Sequence, residues 1–213
     1  TNQKIYNYLR LGESFKEETR EKTFPIKYID FDNVENNVFH VAKNVYVKDK
    51  NNKKKEIDII GYINGIPLIV MECKEKQHSI SQAIKQSIRN YNLIPDLFKF
   101  NQLIIATNKM NARYGAVGTP KEYFLRWKEQ DNEWHEKELD KLLDGKKPTE
   151  QDKLVLSLMS KSRVLDIIEN FILFEHGLRK IIPRHQQYFT VKKIFERIQE
   201  FKTVNGVKIR KGG

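Results

Sequence analysis

Asp58, Glu72 and Lys74 are the residues of this chain whose types and spacing can do chemistry together. They lie in Glu56-Ile-Asp58-Ile-Ile-Gly-Tyr-Ile-Asn64-Gly65-Ile-Pro67-Leu-Ile-Val-Met-Glu72-Cys-Lys74, a stretch that reads as a β-hairpin with an acid on one strand and an acid-x-lysine triplet on the other. Two carboxylates close enough to share a divalent cation, with an ammonium beside them, are what metal-dependent phosphodiester hydrolysis requires. Hard carboxylate oxygens suit Mg²⁺, and the bound ion activates a water and neutralises charge building on the phosphate. A lysine at that place can orient or deprotonate the attacking water, or stabilise the pentavalent phosphorus. The predicted site is therefore Asp58 and Glu72 as catalytic and metal-holding acids, with Lys74 as the catalytic base or electrostatic partner.

Acid-x-lysine triplets arise by chance in a chain that is 31% charged, and Asp144-Gly-Lys146 and Glu200-Phe-Lys202 are two more. Context separates them. Asp144-Gly-Lys146 lies in a polar turn and Glu200-Phe-Lys202 near the end of a predicted helix, whereas Glu72 terminates Ile66-Pro-Leu-Ile-Val-Met71, an apolar run of the kind found in central strands. The alternative is that Asp58 and Glu72 are solvated strand ends and Lys74 a surface charge.

Asn64-Gly65 is a strong two-residue hairpin signal, since a type I′ turn needs positive φ at both central positions. That turn pairs residues whose numbers sum to 129, which sets Asp58 opposite Met71 and on the other face from Glu72. The two carboxylates converge only if the register shifts by one residue. A bulge or kink between Asp58 and Gly61, or around Pro67, is predicted, and a regular ladder would exclude the metal site.

The elements that must hold this hairpin follow from pattern. Residues 3–22 carry an apolar stripe at Tyr6, Leu9 and Phe15 and read as a helix; residues 37–47 read as a strand. Ser79-Ile-Ser-Gln82 has the form of a capping box opening a helix over about 81–91, with Pro95 just beyond its end. Residues 100–107 contain Leu103-Ile-Ile-Ala106, a second buried strand that a crossover helix can set parallel to the Glu72 strand. A short glycine-containing segment covers 113–118, and helices are predicted over 122–128, 134–143, 149–160, 161–174 and about 183–201. The predicted fold class is α/β: a mixed sheet flanked by helices over residues 1–130, followed by a helical portion over 131–213.

Lysine and arginine outnumber aspartate and glutamate by 39 to 28, giving a formal charge of +11 and favouring a polyanionic partner. The densest cluster, Lys48, Lys50, Lys53, Lys54 and Lys55, immediately precedes the Asp58 strand, where it can grip a phosphate backbone or simply form a solvated loop. Cys73 is the single cysteine, so an internal disulfide is excluded, and alternation turns it away from Glu72 and Lys74. No Cys/His set has zinc spacing, and there is no signal peptide or membrane-spanning apolar run, so a soluble intracellular protein is expected.

With these residues laid out, the chain resembles the N-terminal nuclease domain of the restriction (R) subunit of type I restriction-modification enzymes, the HsdR family. The resemblance rests on Asp58-Ile-Ile-Gly-Tyr-Ile-Asn-Gly-Ile-Pro-Leu-Ile-Val-Met-Glu-Cys-Lys74, Ile94-Pro-Asp-Leu-Phe98, Ala106-Thr-Asn108 and Glu122-Tyr-Phe-Leu-Arg-Trp127. It continues in Leu165-Asp-Ile-Ile-Glu-Asn-Phe-Ile-Leu-Phe174 and Lys180-Ile-Ile-Pro-Arg-His-Gln-Gln-Tyr-Phe189, in that order. It implies a restriction-endonuclease-like fold with a PD-(D/E)xK motif, in which Asp58 and Glu72 bind Mg²⁺ and Lys74 is the catalytic lysine; Ile57 stands where the family often has proline. The family's Gln-x-x-x-Tyr motif, associated with DNA engagement, is matched at Gln86, while Tyr91 falls one residue late and Asn90 holds the tyrosine's place. One residue is about 100° on a helix. Gln86, Tyr91, Lys53, Lys54 and Lys55 are accordingly the predicted DNA-binding residues; packing at the helix end is the alternative for Tyr91. Gln82 belongs to the capping box, His78 to a loop and His185 to a connecting helix.

The resemblance further implies duplex DNA as substrate, methylation and specificity subunits as partners, a bacterial or archaeal cytoplasm, and a piece ending ahead of a helicase-like ATP motor. No Gly-x-x-x-x-Gly-Lys-Ser/Thr occurs, so ATP is expected to bind only the longer subunit. Two further readings remain open at this point: a module that grips DNA or docks subunits with little activity alone, separable by metal dependence, and a structure-specific nuclease, separable by preference for branched DNA.

Overall fold

The computed structural model describes residues 2–16, 23–176, 179–199, 201–204 and 207–210. Its elements run α1 (Asn2–Leu11), β1 (Glu13–Lys16), β2 (Thr23–Ile26), β3 (Phe39–Lys48), β4 (Lys54–Ile63), β5 (Ile66–Cys73), α2 (Ile80–Leu93), α3 (Pro95–Phe98), β6 (Leu103–Thr107) and β7 (Ala112–Gly115). There follow α4 (Asn132–Leu143), α5 (Glu150–Leu158), α6 (Lys161–Asn170), β8 (Leu173–Glu175), β9 (Arg179–Ile181), α7 (His185–Gln199), β10 (Phe201–Val204) and β11 (Val207–Arg210). The central sheet has the order β3-β4-β5-β6-β7, with β5 and β6 parallel and every other pair antiparallel, so the α/β fold with a helical C-terminal part is as expected. A parallel pair needs a crossover, and α2 with α3 supplies it.

The sheet is covered on both faces. Leu68, Met71, Leu103 and Ile105 pack in one apolar cluster with Tyr6 and Leu9 of α1 and with residues of α5, α6 and α7. Val70, Ile104 and Ala106 pack in a second cluster with Ala83 and Ile84 of α2 and with Phe98. Burial on both faces explains why β5 and β6 read as continuous apolar runs instead of alternating ones. The outer strand β3 is largely exposed and carries Lys43 and Lys48, charges that protect a sheet edge from pairing with other chains.

Several elements depart from their sequence patterns. The first helix stops at Leu11 because Gly12 takes φ +76° with its amide bonded to Tyr8, and the chain turns into the β1–β2 hairpin. Phe15 is therefore a half-exposed strand residue, and residues 17–22 of the predicted helix lie outside the described residues. The predicted helix over 122–128 is absent: a 3-10 turn at Lys121–Tyr123 leads to Leu125, which bridges Tyr114 through bonds of 2.9 and 2.8 Å. The glycine-containing segment over 113–118, for which the sequence predicts no element, supplies most of β7. Helix α6 ends at Asn170, and Leu173–Glu175 is a strand paired with β9; an apolar run this short has no periodicity to distinguish the two states. Ser79 caps α2, but its hydroxyl accepts from the Ser81 amide and Gln82 is exposed. The complete capping box is at Thr149 and Asp152, opening α5.

Candidate active site

The site is built by a register shift. Asn64 and Gly65 take φ +52° and +80°, and the turn they make sets Ile63 opposite Ile66 and Tyr62 opposite Pro67. Asn64 is fastened at this corner by its side chain, which accepts from the Val38 amide and donates to the Tyr28 carbonyl. Beyond it the pairing becomes Gly61↔Ile69, Ile60↔Val70 and Ile59↔Met71, leaving Leu68 as an extra residue on β5. This is the predicted bulge next to Pro67, a residue that has no amide hydrogen to give a ladder. Gly61 fits the crowded crossing, since a Cβ there would meet the Ile69 side chain at 3.2 Å.

The effect on side-chain direction is visible in the packing. Leu68 and Ile69, adjacent in sequence, both pack on the α1/α5/α6 cluster, after which Val70 turns to the α2 cluster and Met71 back again. Alternation then brings Glu72 to the α2 face, and continuing the shifted register sets Asp58 opposite it. The ladder itself stops at Ile59↔Met71; past that point the Cys73 amide donates to Asp58 Oδ2 at 2.7 Å. On the other side of β4 the partner position of Asp58 is Asn44, which takes φ +54°. Asp58 thus sits where regular pairing breaks on both sides of its strand.

Glu72 is fully buried. Lys74 Nζ donates to its Oε1 at 2.7 Å, and Asn90 Nδ2 approaches its Oε2 at 3.4 Å. Burial pushes the Glu72 carboxyl up to about 7; Lys74 opposes the rise, and the charge and hydrogen bonding of Asp58 add to it. A buried acid next to a second acid is a place where a cation restores the ionised form. Among the described residues no three His, Cys, Asp or Glu side chains cluster as a metal cage. Two carboxylates with no softer donor fit Mg²⁺, which keeps waters and takes further oxygens from substrate phosphate, better than an ion needing a full protein cage. Cys73 packs partly against the α1/α5/α6 cluster, and burial raises its thiol to about 11, so it stays a neutral core residue.

The other candidate residues are placed as follows. Gln86 is half-buried on α2, one turn ahead of Asn90. Tyr91 packs edge-on to Phe98, ring centroids 6.3 Å apart, in the α2 cluster. Lys53 is exposed in the β3–β4 turn, Lys54 Nζ lies 3.8 Å from the centre of the Tyr46 ring, and Lys55 Nζ is 4.0 Å from Asp49. That turn is joined to the end of α2 by the Lys50 amide, which donates to the Leu93 carbonyl. His78 belongs to the connection between β5 and α2, where its carbonyl accepts from Asn108. Asn90 was not among the predicted site residues; its i+4 spacing from Gln86 was the signal that could have found it.

Residues 1–123 match the family model for the type I restriction enzyme R protein N terminus. The chain belongs to that family. Relatives agree: the type I restriction enzyme HindI endonuclease subunit of Haemophilus influenzae is 29% identical over 203 residues, covering 88% of this chain and 18% of the relative. A similarly named protein of Methanocaldococcus jannaschii is 29% identical over 197 residues, 86% of this chain and 18% of the relative. The type I restriction enzyme EcoprrI endonuclease subunit of Escherichia coli is 22% identical over 183 residues, 82% of this chain and 54% of the relative. The chain thus spans about a fifth of the first two relatives' length (18%). No helix among the described residues is long and apolar enough to cross a membrane.

Proposed function

We propose that this R protein N-terminal domain hydrolyses phosphodiester bonds of duplex DNA with Mg²⁺, as the cutting part of a type I restriction complex that also holds methylation and specificity subunits. The observation that carries this reading is the shifted register, which opposes Asp58 to Glu72 with Lys74 2.7 Å from the Glu72 carboxylate. Asp58 and Glu72 are the residues that would hold the ion, which when bound supplies Lewis-acid activation of water and charge neutralisation at phosphate. Asp58 Oδ2 accepts from the Cys73 amide, which leaves its second oxygen for the ion. Lys74, a quarter exposed, reaches from the buried acid toward solvent, where its ammonium can hold the attacking water or a phosphate oxygen. Gln86 of α2 and the Lys53–Lys55 turn, which is tied to the C-terminal end of that helix, position the DNA backbone.

Nicking of supercoiled DNA by the chain in Mn²⁺ tests the reading. The Lys74→Ala variant should lose on the order of 10²–10³ in rate, the usual cost of deleting one group that stabilises transition-state charge. Equal, EDTA-insensitive nicking by both proteins would contradict it.

A further inference from the structure

In its ionised form Glu72 is an acceptor-only group withdrawn from water, and such a group needs donors on both oxygens. Lys74 serves Oε1 from the same strand, two residues on. The donor to Oε2 comes from another element: Asn90, in the last turn of α2, itself 4% exposed. The register partner of Glu72 on β6 is Ala106, fully buried, whose small side chain leaves the space between sheet and helix to the carboxylate and the amide. We propose that Asn90 is a positioning residue, its Nδ2 holding the second oxygen of Glu72 so that the carboxylate keeps its remaining lone pairs toward Asp58 and the metal. The proposal rests on the metal-nuclease reading of this site.

Three observations support it. Helix α2 is amphipathic with Ala83, Ile84, Ser87 and Asn90 on its buried side, so its buried face turns from apolar to polar at the turn that reaches Glu72. Ser87 bonds back to the Ala83 carbonyl within the helix, which leaves Asn90 as the residue of this face that bonds across to the sheet. The amide faces Glu72 with nitrogen, since an oxygen there would oppose two acceptors. At 3.4 Å the bond is long and contributes orientation more than energy. Because the end of α2 is joined to the lysine-rich turn through Leu93 and Lys50, the metal acid and the proposed backbone grip share one support.

The test is Mn²⁺ binding followed by electron paramagnetic resonance, with a non-cleavable phosphorothioate duplex present, for the native chain, Asn90→Leu, Asn90→Ala, Asn90→Gln and Asp58→Ala. Thermal unfolding accompanies each, and the smaller alanine variant replaces leucine if leucine prevents folding. Partners that orient a metal ligand typically change affinity 10–100-fold. Asn90→Leu and Asn90→Ala should weaken Mn²⁺ binding on the order of tenfold and broaden the bound-ion spectrum, and Asn90→Gln, which keeps the donor, should recover part of both. Native-like Mn²⁺ affinity in folded Asn90→Leu and Asn90→Ala, with binding lost in Asp58→Ala, overturns the role of Asn90 and leaves the metal site standing. Native-like binding in Asp58→Ala as well overturns the metal site itself.

Discussion

Glu72 and Lys180 are both withdrawn from water, at 0% and 2% exposure, yet their neighbours differ in kind. Glu72 has an ammonium on one oxygen, an amide on the other and a second carboxylate beside it, at the end of a strand. Lys180 has only neutral company: its Nζ donates to the Asn101 carbonyl at 2.6 Å and to Gln102 Oε1 at 2.7 Å, with the Phe174 ring 5.8 Å away. It is a peg that fastens the β8–β9 hairpin to the approach of β6. A buried charge surrounded by neutral acceptors is finished structurally. Two acids that share one ammonium are left short of positive charge, and the proposed cation would supply it.

The contrast breaks most visibly on substitution. Lys180→Met removes the charge and strands two buried acceptors, so the fold should lose about 2–6 kcal/mol in denaturant unfolding, at roughly 1–3 kcal/mol for each unsatisfied group. Glu72→Gln removes an acid that burial disfavours and should leave unfolding stability within about 1 kcal/mol of native or raise it, in the absence of metal. A Lys180→Met protein as stable as native would show that the peg carries no weight.

The two groups also give opposite pH dependences. Burial lowers Lys180 to about 7 from 10.5, so between those values the unfolded chain holds a proton that the folded chain lacks, and stability rises with pH. Burial first, then Asp58, raises Glu72 to about 7 from 4.5, so between those values the folded chain holds the extra proton, and stability falls as pH rises. The carbonyl acceptors around Lys180 favour its ammonium and so narrow the interval over which the first slope acts. Unfolding measured from pH 4.5 to 10 should show the low-pH fall abolished in Glu72→Gln and the high-pH rise abolished in Lys180→Met; unchanged profiles in both would contradict the assignment.

The smallest effect concerns the lysine turn. Each phosphate that a lysine no longer neutralises lowers the salt slope of DNA binding by roughly 0.9. Lys54 and Lys55 are drawn toward Tyr46 and Asp49, so neutralising Lys53, Lys54 and Lys55 together should flatten the slope by about one to two, and an unchanged slope would make the turn a solvated loop.

How much of this was legible in the sequence depends on the range of the interaction. The hairpin, its turn residues and the need for a bulge near Pro67 followed from local arithmetic, because strand alternation is strict and Asn64-Gly65 admits few turn types. The parallel β5–β6 pair followed from two apolar runs separated by a helix. Asn90 showed only its i+4 spacing from Gln86 and Lys180 showed nothing of its role, because each acquires that role from a residue on another element, Glu72 in one case and Asn101 with Gln102 in the other. The β7 strand, the Leu125 bridge and the β8–β9 hairpin were misread or missed because their segments are short and take their state from a sheet edge or a packed face, not from their own periodicity.

The central claim is that Asp58 and Glu72, brought opposite each other by the extra residue Leu68, share one divalent cation. Titrating Mn²⁺ into the chain with a non-cleavable duplex, and repeating it with Asp58→Ala and Glu72→Gln, measures this directly. The expected result is one site in the native chain that both substitutions abolish. A native chain with no such site, or a site indifferent to both substitutions, would contradict it.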